Sequence, residues 1–187
     1  KNFQTGPLAN YLDKLKAGDW CLNDKAYATS NDNTTTLTSQ EISDKQIKGT
    51  TFYYDSYVRL NGKTIKEPTL KCNGTNMSKF ADNTDMYVGT LTADEIVYAG
   101  GKVYAGNQDY YLINDYQKTN NLYFWSLSPS NFNGNVDNAF RVNNYGDLGG
   151  LNVGNDYSVS FRPAVTLLSS TQITGGNGTK ANAYTIG

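Results

Sequence analysis

The chain has no histidine among its 187 residues. That absence removes Ser-His-Asp and Cys-His catalysis, histidine-ligated zinc and the commonest general base. Cysteine is scarce as well. Cys21 and Cys72 cannot by themselves complete the tetrahedral ligand set of a structural zinc. A single pair leaves two readings open: one disulfide, of the kind an oxidising compartment sustains, or two buried thiols packing as small hydrophobes. No run approaches the roughly 20 apolar residues of a membrane-spanning helix. With 16 Lys and Arg against 17 Asp and Glu, the chain lacks the positive excess of a nucleic-acid surface. No secretory signal is visible. The chain opens on Lys1 rather than methionine, which points to a piece of a longer protein whose export signal has been removed. These gaps lower the expectation of an enzyme and of any cofactor.

A further absence is local. From Asn121 to Thr179 there is no Lys and no Glu, although both are frequent earlier in the chain. A surface segment that long normally carries charged, solubilising side chains. Between the aromatic run Leu122–Trp125 and the apolar run Val159–Leu168, the positions hold Asn, Asp, Gly, Ser and Tyr. Tyrosine offers contact area at low entropic cost, and Ser, Gly and Asn offer adjustable hydrogen bonds. The composition is that of a binding surface over residues 122–168, carried by the rest of the chain.

The length suits one domain with a real core. Leu8, Leu12 and Leu15 recur at helical spacing behind Pro7, and Gly18 is placed to end that helix. Trp20–Leu22 reads as a short buried segment. Ala26 to Gly49 reads as a polar surface excursion with at most a helical turn, anchored by Leu37, Ile42 and Ile47. Thr51 to Leu60 is aromatic and β-branched and predicts a short strand. Thr92 and Glu95 form a capping box flanked by the staple pair Leu91 and Ile96. Asp94 and Glu95 sit at the positive end of the dipole, and Gly100-Gly101 stops the helix. That predicts a helix from Ala93 to Ala99 with Ile96, Val97 and Tyr98 turned inward.

Downstream, Tyr110–Ile113 predicts a strand, Asn114–Asn121 a turn and Leu122–Ser128 another strand. Asn138–Asn143 alternates, placing Ala139 and Arg141 on one face and Phe140 and Val142 on the other. Asn143–Asp147 is hairpin-turn chemistry. Val159–Leu168 predicts a core strand that Pro163 confines to an edge or a bulge. A Gly-rich turn at Ile173–Thr179 precedes a closing strand, Ala183–Ile186. Phe124 and Trp125 are read as core, and Arg162 as a buried, hydrogen-bonded scaffold residue.

In their order and spacing, LTADEIVYAGG, LYFWSLSP, SFRPAVTLLSS and ITGGNGTKANAYTI resemble the C-type-lectin-fold proteins of gut Firmicutes and their prophages. The stretch from WCLND through TLKCNGT is similar to the part those proteins carry upstream, so the resemblance covers about residues 8 to 187. It implies an α+β chain with a C-type lectin-like fold: short helices, a small, irregular, mostly antiparallel sheet and long loops, in one domain over 1–187. The closest functional analogy in that superfamily is the variable protein of diversity-generating retroelements. There, adenine-directed mutagenesis rewrites AAY codons near the C-terminus, and the fold displays the products as a ligand-binding surface. Such rewriting yields Asn, Asp, Tyr, Ser and Gly but never Lys, Glu or Gln, and Ser126–Ser170 contains none of those three. The calcium-dependent sugar-binding lectins are a poorer match, since Glu67-Pro68 is followed by Thr69 and no Trp-Asn-Asp triplet occurs.

The expected ligand contacts are Asn131, Asn133, Asn135, Asp137, Asn138, Arg141, Asn143, Asn144, Tyr145, Asp147, Asn152, Asn155, Asp156 and Tyr157. Tyr145, Tyr157 and Arg141 would be the anchors, as at hot spots. The competing reading of the same residues is plain solvated loops. Asp137, Asp147 and Asp156 offer the oxygens that calcium takes, but without EF-hand spacing, and no metal is expected. The expected partner is a protein or glycan on a cell surface, met outside the cell on a bacterial surface or phage particle; neither nucleic acid nor membrane insertion is expected. One alternative is a structural adhesin or pilus-tip module. Another is a relative of the formylglycine-generating enzymes, which share the fold in a larger form. Those need reactive cysteines in the C-terminal part, and the chain has none after Cys72.

Overall fold

The computed structural model describes residues 7–61, 67–79, 83, 85–154, 159–179 and 181–187. A 3₁₀ helix, Pro7–Lys14, leads into β1 (Leu15–Lys16), β2 (Trp20–Cys21) and β3 (Ala26–Tyr27). Helix α1 (Ser39–Ile47) precedes β4 (Phe52–Tyr54) and α2 (Asp55–Asn61). Strands β5 (Asn76–Met77) and β6 (Val88–Gly89) lead to α3 (Ala93–Tyr98), β7 (Lys102–Val103) and α4 (Asp115–Asn120). The remaining elements among the described residues are strands: β8 (Tyr123–Phe132), β9 (Asp137–Val142), β10 (Asp147–Asn152), β11 (Val159–Phe161), β12 (Ala164–Leu167), β13 (Ile173–Gly175) and β14 (Thr185–Ile186).

The architecture is mixed α+β, with a curled sheet, few short helices and many strands. Among the described residues the main sheet has seven strands in the order β3-β4-β8-β9-β10-β7, with β11 also on β8. Strand β8 is its spine. One edge pairs with β9, with register shifts between Trp125 and Asn131; the other is shared by β11 at Tyr123–Trp125 and β4 at Asn131–Phe132. The β7–β10 and β8–β11 pairs are parallel and the remaining pairs of this sheet antiparallel. A smaller sheet joins β1 and β6 to either side of β12.

Strict alternation makes β8 two-sided: Phe124, Ser126, Ser128, Ser130 and Phe132 are buried, and the residues between them are half-buried. The three serines leave room for helices to approach the sheet. Ser128 Oγ accepts the Ala93 N–H at 3.0 Å, so it receives the first turn of α3. Phe124, Phe140, Val142 and Leu148 from β8, β9 and β10 pack with Leu60, Ala93, Ile96, Tyr110 and Ile113 as the main core. A second cluster stacks Phe52 on Phe132, centroids 5.5 Å apart, with Ala26 beside them.

Helices α2 and α3 are tied by a buried ionic network. Asp94, fully buried, accepts from Arg59 Nε at 2.7 Å and Nη2 at 2.8 Å, from Ser56 Oγ at 2.8 Å, from Asn23 Nδ2 at 3.2 Å and from the Thr69 N–H at 3.1 Å. Arg59 Nη1 also binds Asp55, whose other oxygen accepts from Asn73 Nδ2 at 2.8 Å and the Tyr27 hydroxyl at 3.2 Å. Burial works against the Arg59 charge, but the two carboxylates outweigh it and raise its pKa above the ordinary arginine range. Cys21 and Cys72 are disulfide-bonded beside this network.

Several expectations hold. The Thr92–Glu95 capping box is present with both reciprocal bonds, and Gly100-Gly101 follows α3. In β9, Phe140 and Val142 face the core while Ala139 and Arg141 take the other side. Phe124 is core and Trp125 half-buried. Arg162 is part-buried over the Phe124 ring, 4.8 Å from its centroid, and binds Gln117 Oε1; desolvation lowers its pKa.

Others need correction. Leu12 and Leu15 do not share a long helix: the 3₁₀ turn ends at Lys14, and Leu15 is buried in β1 against β12. The excursion Ala26–Gly49 holds a nine-residue helix, α1, capped by Thr38 and Glu41, and opens with a buried strand. Ile47 is exposed rather than an anchor, and so is Tyr98. The short strand expected within Thr51–Leu60 is present as β4, and the rest of that stretch is helix α2. Tyr110–Ile113 is a turn: the Tyr110 N–H is taken by the Asn107 carbonyl at 3.0 Å and the Ile113 N–H by the Tyr110 carbonyl at 2.8 Å, while the Tyr110 hydroxyl reaches the Ile96 carbonyl at 3.1 Å. Asn114–Asn121 holds α4, capped by the Asn114–Gln117 box. Val159–Leu168 is split at Pro163 into β11 and β12 in different sheets, and Phe161 is 71% exposed.

Candidate functional site

The predicted contact residues that are described lie on or between the strands of one three-stranded unit, β8-β9-β10, but not together. Strand β9 runs from Asp137 to Val142, and at about 3.4 Å per residue its ends are roughly 17 Å apart. The candidates divide between those ends. Asn131, Asn133, Asn135, Asp137, Asn138 and Asn152 gather at the β8–β9 turn, where Asn152 pairs with Asn138 and the Val153 N–H reaches the Asp137 carbonyl at 3.1 Å. Arg141, Asn143, Asn144, Tyr145 and Asp147 gather at the β9–β10 turn. Asp137 and Asp147 therefore cannot share one cation. Asn155, Asp156 and Tyr157 lie outside the described residues.

The first group forms a rim. Its turn is self-braced: Asn133 Oδ1 accepts the N–H groups of Asn135 and Val136, both at 3.1 Å. Gly134 has φ +97°, and a Cβ there would come within 2.8 Å of the Gly49 carbonyl, so the turn sits directly on the chain after α1. Asn138 Nδ2 donates to the Asn131 carbonyl at 3.3 Å, and Asn152 Oδ1 accepts the Gly154 N–H at 2.8 Å. Asn133, Asn135 and Asp137 remain exposed. Tyr54 lies beside them: burial raises its pKa, and the nearby Asp137 and Asp24 carboxylates add to the effect. The backbone is braced while three side chains stand in solvent, the pre-organisation that lowers the cost of binding.

The second group is mostly consumed by its own turn. Asn143 Oδ1 accepts from the Tyr145 and Asp147 N–H groups, each at 2.9 Å. Arg141 Nη1 donates to the Asp147 carbonyl at 3.1 Å, and its guanidinium lies 5.2 Å from the Tyr123 ring centroid. Asn144 is only 5% exposed. Arg141 Nε, Asn144 Oδ1 and Asp147 Oδ1 are buried without a hydrogen-bond partner among the described residues. Atoms so enclosed cannot meet a ligand unless the turn moves. Gly146 has φ +74°, and a Cβ there would lie 2.1 Å from the Asn107 carbonyl, so this turn is clamped. Of the expected contacts here, Asn144 is closed in by its own turn and Arg141 is half-buried against Tyr123. Tyr145, 56% exposed, is the side chain of this group that stands free of it.

The Lys- and Glu-free composition has a partly structural origin. A lysine on the inward positions of β8, β9 or β10 would be buried in the sheet centre, so those positions exclude it whatever the segment binds. Composition also gave no pointer to Tyr54 or to Tyr104, which precede the segment. Tyr104 lies along the edge of β10, its hydroxyl accepting the Gly150 N–H at 3.2 Å, and burial raises its pKa.

Among the described residues, no group of His, Cys, Asp and Glu could hold a metal ion, and no helix is long and apolar enough to cross a membrane. No protein-family model, curated protein or solved structure matches the chain.

Proposed function

We propose that this protein is a recognition module that binds a protein or glycan on a cell surface through the rim at the β8–β9 turn, without catalysing a reaction. The contact set narrows to Asn133, Asn135 and Asp137, supported from behind by Asn131, Asn138 and Asn152. The carrying observation is the pairing of a braced turn with exposed side chains: Asn133 satisfies its own turn through Oδ1 while Asn133, Asn135 and Asp137 face solvent. A plain solvated loop has no need of the Gly49–Gly134 seat or of three strand ends converging on it. The resemblance to C-type-lectin-fold variable proteins supports the same reading, as does the avoidance of Lys, Glu and Gln across Ser126–Ser170. On this reading the fold is C-type lectin-like, and the module works outside the cell, on a bacterial surface or a phage particle.

The test is a glycan and protein array probed with the labelled chain and with the N135A/D137A variant, which leaves the Asn133 brace in place. The variant should lose the array signal while its melting temperature stays within a few degrees. Equal signals from both chains would refute the assignment.

A further inference from the structure

Loops close over the buried Arg59 network from two sides, and one covalent bond joins them. From the first side comes Asn23, next but one to Cys21, with Nδ2 on Asp94. From the second come Thr69, with its N–H on Asp94 at 3.1 Å, and Asn73, with Nδ2 on Asp55 at 2.8 Å, flanking Cys72. Asn73 also crosses to the first side, its N–H reaching Asn23 Oδ1 at 3.3 Å. The second loop, 67–75, forms no strand of its own, and Glu67, Leu70, Lys71, Gly74 and Thr75 are exposed. None of its residues belongs to either hydrophobic cluster. A segment with few apolar contacts and an exposed backbone opens at low free-energy cost. Its far end is fixed independently: Asp24 accepts from the N–H and hydroxyl of Thr75, each at 2.7 Å, the Leu22 N–H reaches the Thr75 carbonyl at 3.0 Å, and β5 pairs with β2 just beyond. What holds 67–73 is Cys72 and a few hydrogen bonds to Asp94, Asp55 and Asn23. The disulfide is also reachable. It lines an open cavity of about 220 Å³ together with Trp20, Asn23, Thr69, Leu70 and Thr92.

We propose that Cys21–Cys72 is a redox latch on the 67–73 strap. A small dithiol entering through the cavity attacks one sulfur and then resolves its own mixed disulfide. The protein S–S bond breaks, two electrons and two protons pass to Cys21 and Cys72 as thiols, and the reagent leaves as a cyclic disulfide. With the cross-link gone, residues 67–73 detach from Asp94 and Asp55 while Thr75 stays with Asp24 and the β2–β5 pair, and the network stands open to water. Sheet and helices persist, because their core is separate from the strap. No other cysteine exists to trap the reduced form in a wrong pairing. The latch does not depend on what the rim binds.

Hydrogen exchange of the full chain with and without dithiothreitol tests this, with thiol alkylation confirming reduction by mass. Reduction should speed exchange in 67–73 by about tenfold or more, leaving the amides of β8 and β9 protected, as expected of sub-global opening. Unchanged exchange in the strap of the reduced chain would overturn the proposal. So would β8 and β9 losing protection in step with it, since the bond would then hold the whole fold. Cys72→Ala should show the open-strap pattern without reductant; a variant unfolded throughout counts against the latch.

Discussion

Asp94 and Glu95 are adjacent acids in the first turn of α3, and the structure assigns them very different weights. Glu95 Oε2 accepts the Thr92 N–H at 2.8 Å in the capping box. Asp94 is fully buried and accepts from five donors, two of them on Arg59, which is itself largely enclosed. Asp94→Asn removes the charge, sets an amide NH₂ against donors and leaves Arg59 with Asp55 alone. Breaking a buried pair by deleting one partner costs about 3–5 kcal/mol. Glu95→Ala removes half of a capping box, a loss of about 1 kcal/mol on the scale of helix caps. Urea denaturation at neutral pH should therefore separate the two variants by about 2–4 kcal/mol, a large share of the roughly 5–15 kcal/mol of a whole domain. The Asp94→Asn/Arg59→Met double should cost less than the sum of its single changes, because the Asp94–Arg59 contact is lost only once, although it leaves the buried Asp55 carboxylate without its cation. Equal costs for the two single variants, or additive costs in the double, would refute the network as the element joining α2 to α3.

Three further outcomes follow from particular contacts. Thr38→Ala should destabilise α1 by about 1 kcal/mol, seen as a lower urea midpoint with an unchanged slope, since Thr38 takes the Glu41 N–H in the cap. Burial raises the pKa of Tyr27, Tyr54, Tyr104 and Tyr110 above the ordinary 10.0. The folded chain therefore keeps phenolic protons that the unfolded chain sheds, so stability is complete below pH 10 and falls as pH climbs through the raised values. Tyrosinate absorbance should then rise in step with unfolding, and a titration that precedes unfolding for every tyrosine would contradict this. Tyr145→Ala should change stability by no more than about 0.5 kcal/mol, as at an exposed site, because the bonds around Tyr145 are made by its backbone N–H and carbonyl.

The sequence was legible where structure is local. The α3 cap, the β9 alternation and the Asn143–Asp147 turn each depend on residues within a few positions of one another, and each stands as expected. The α1 and α4 caps were equally local, but Thr38–Glu41 lay in a stretch that looked uniformly polar, and Asn114 caps without the usual Ser or Thr. The rest depends on distant partners. Tyr110 leaves the strand region for a carbonyl 14 residues away, and Arg59 meets Asp94 across 35 residues. No periodicity encodes either contact. For the candidate contacts, composition picked out residues of three neighbouring strands but could not foresee that β9 would carry its two ends in opposite directions. It also could not distinguish an exposed Asn133 from a buried Asn144, since both are asparagines flanking a turn.

The most direct check on the recognition surface is a hydrogen-exchange footprint of the chain bound to a ligand selected on the array. Protection should fall on residues 131–138 and 150–154, with residues 143–147 exchanging as in the free chain. Protection centred on 143–147, or none at the β8–β9 turn, would contradict the account.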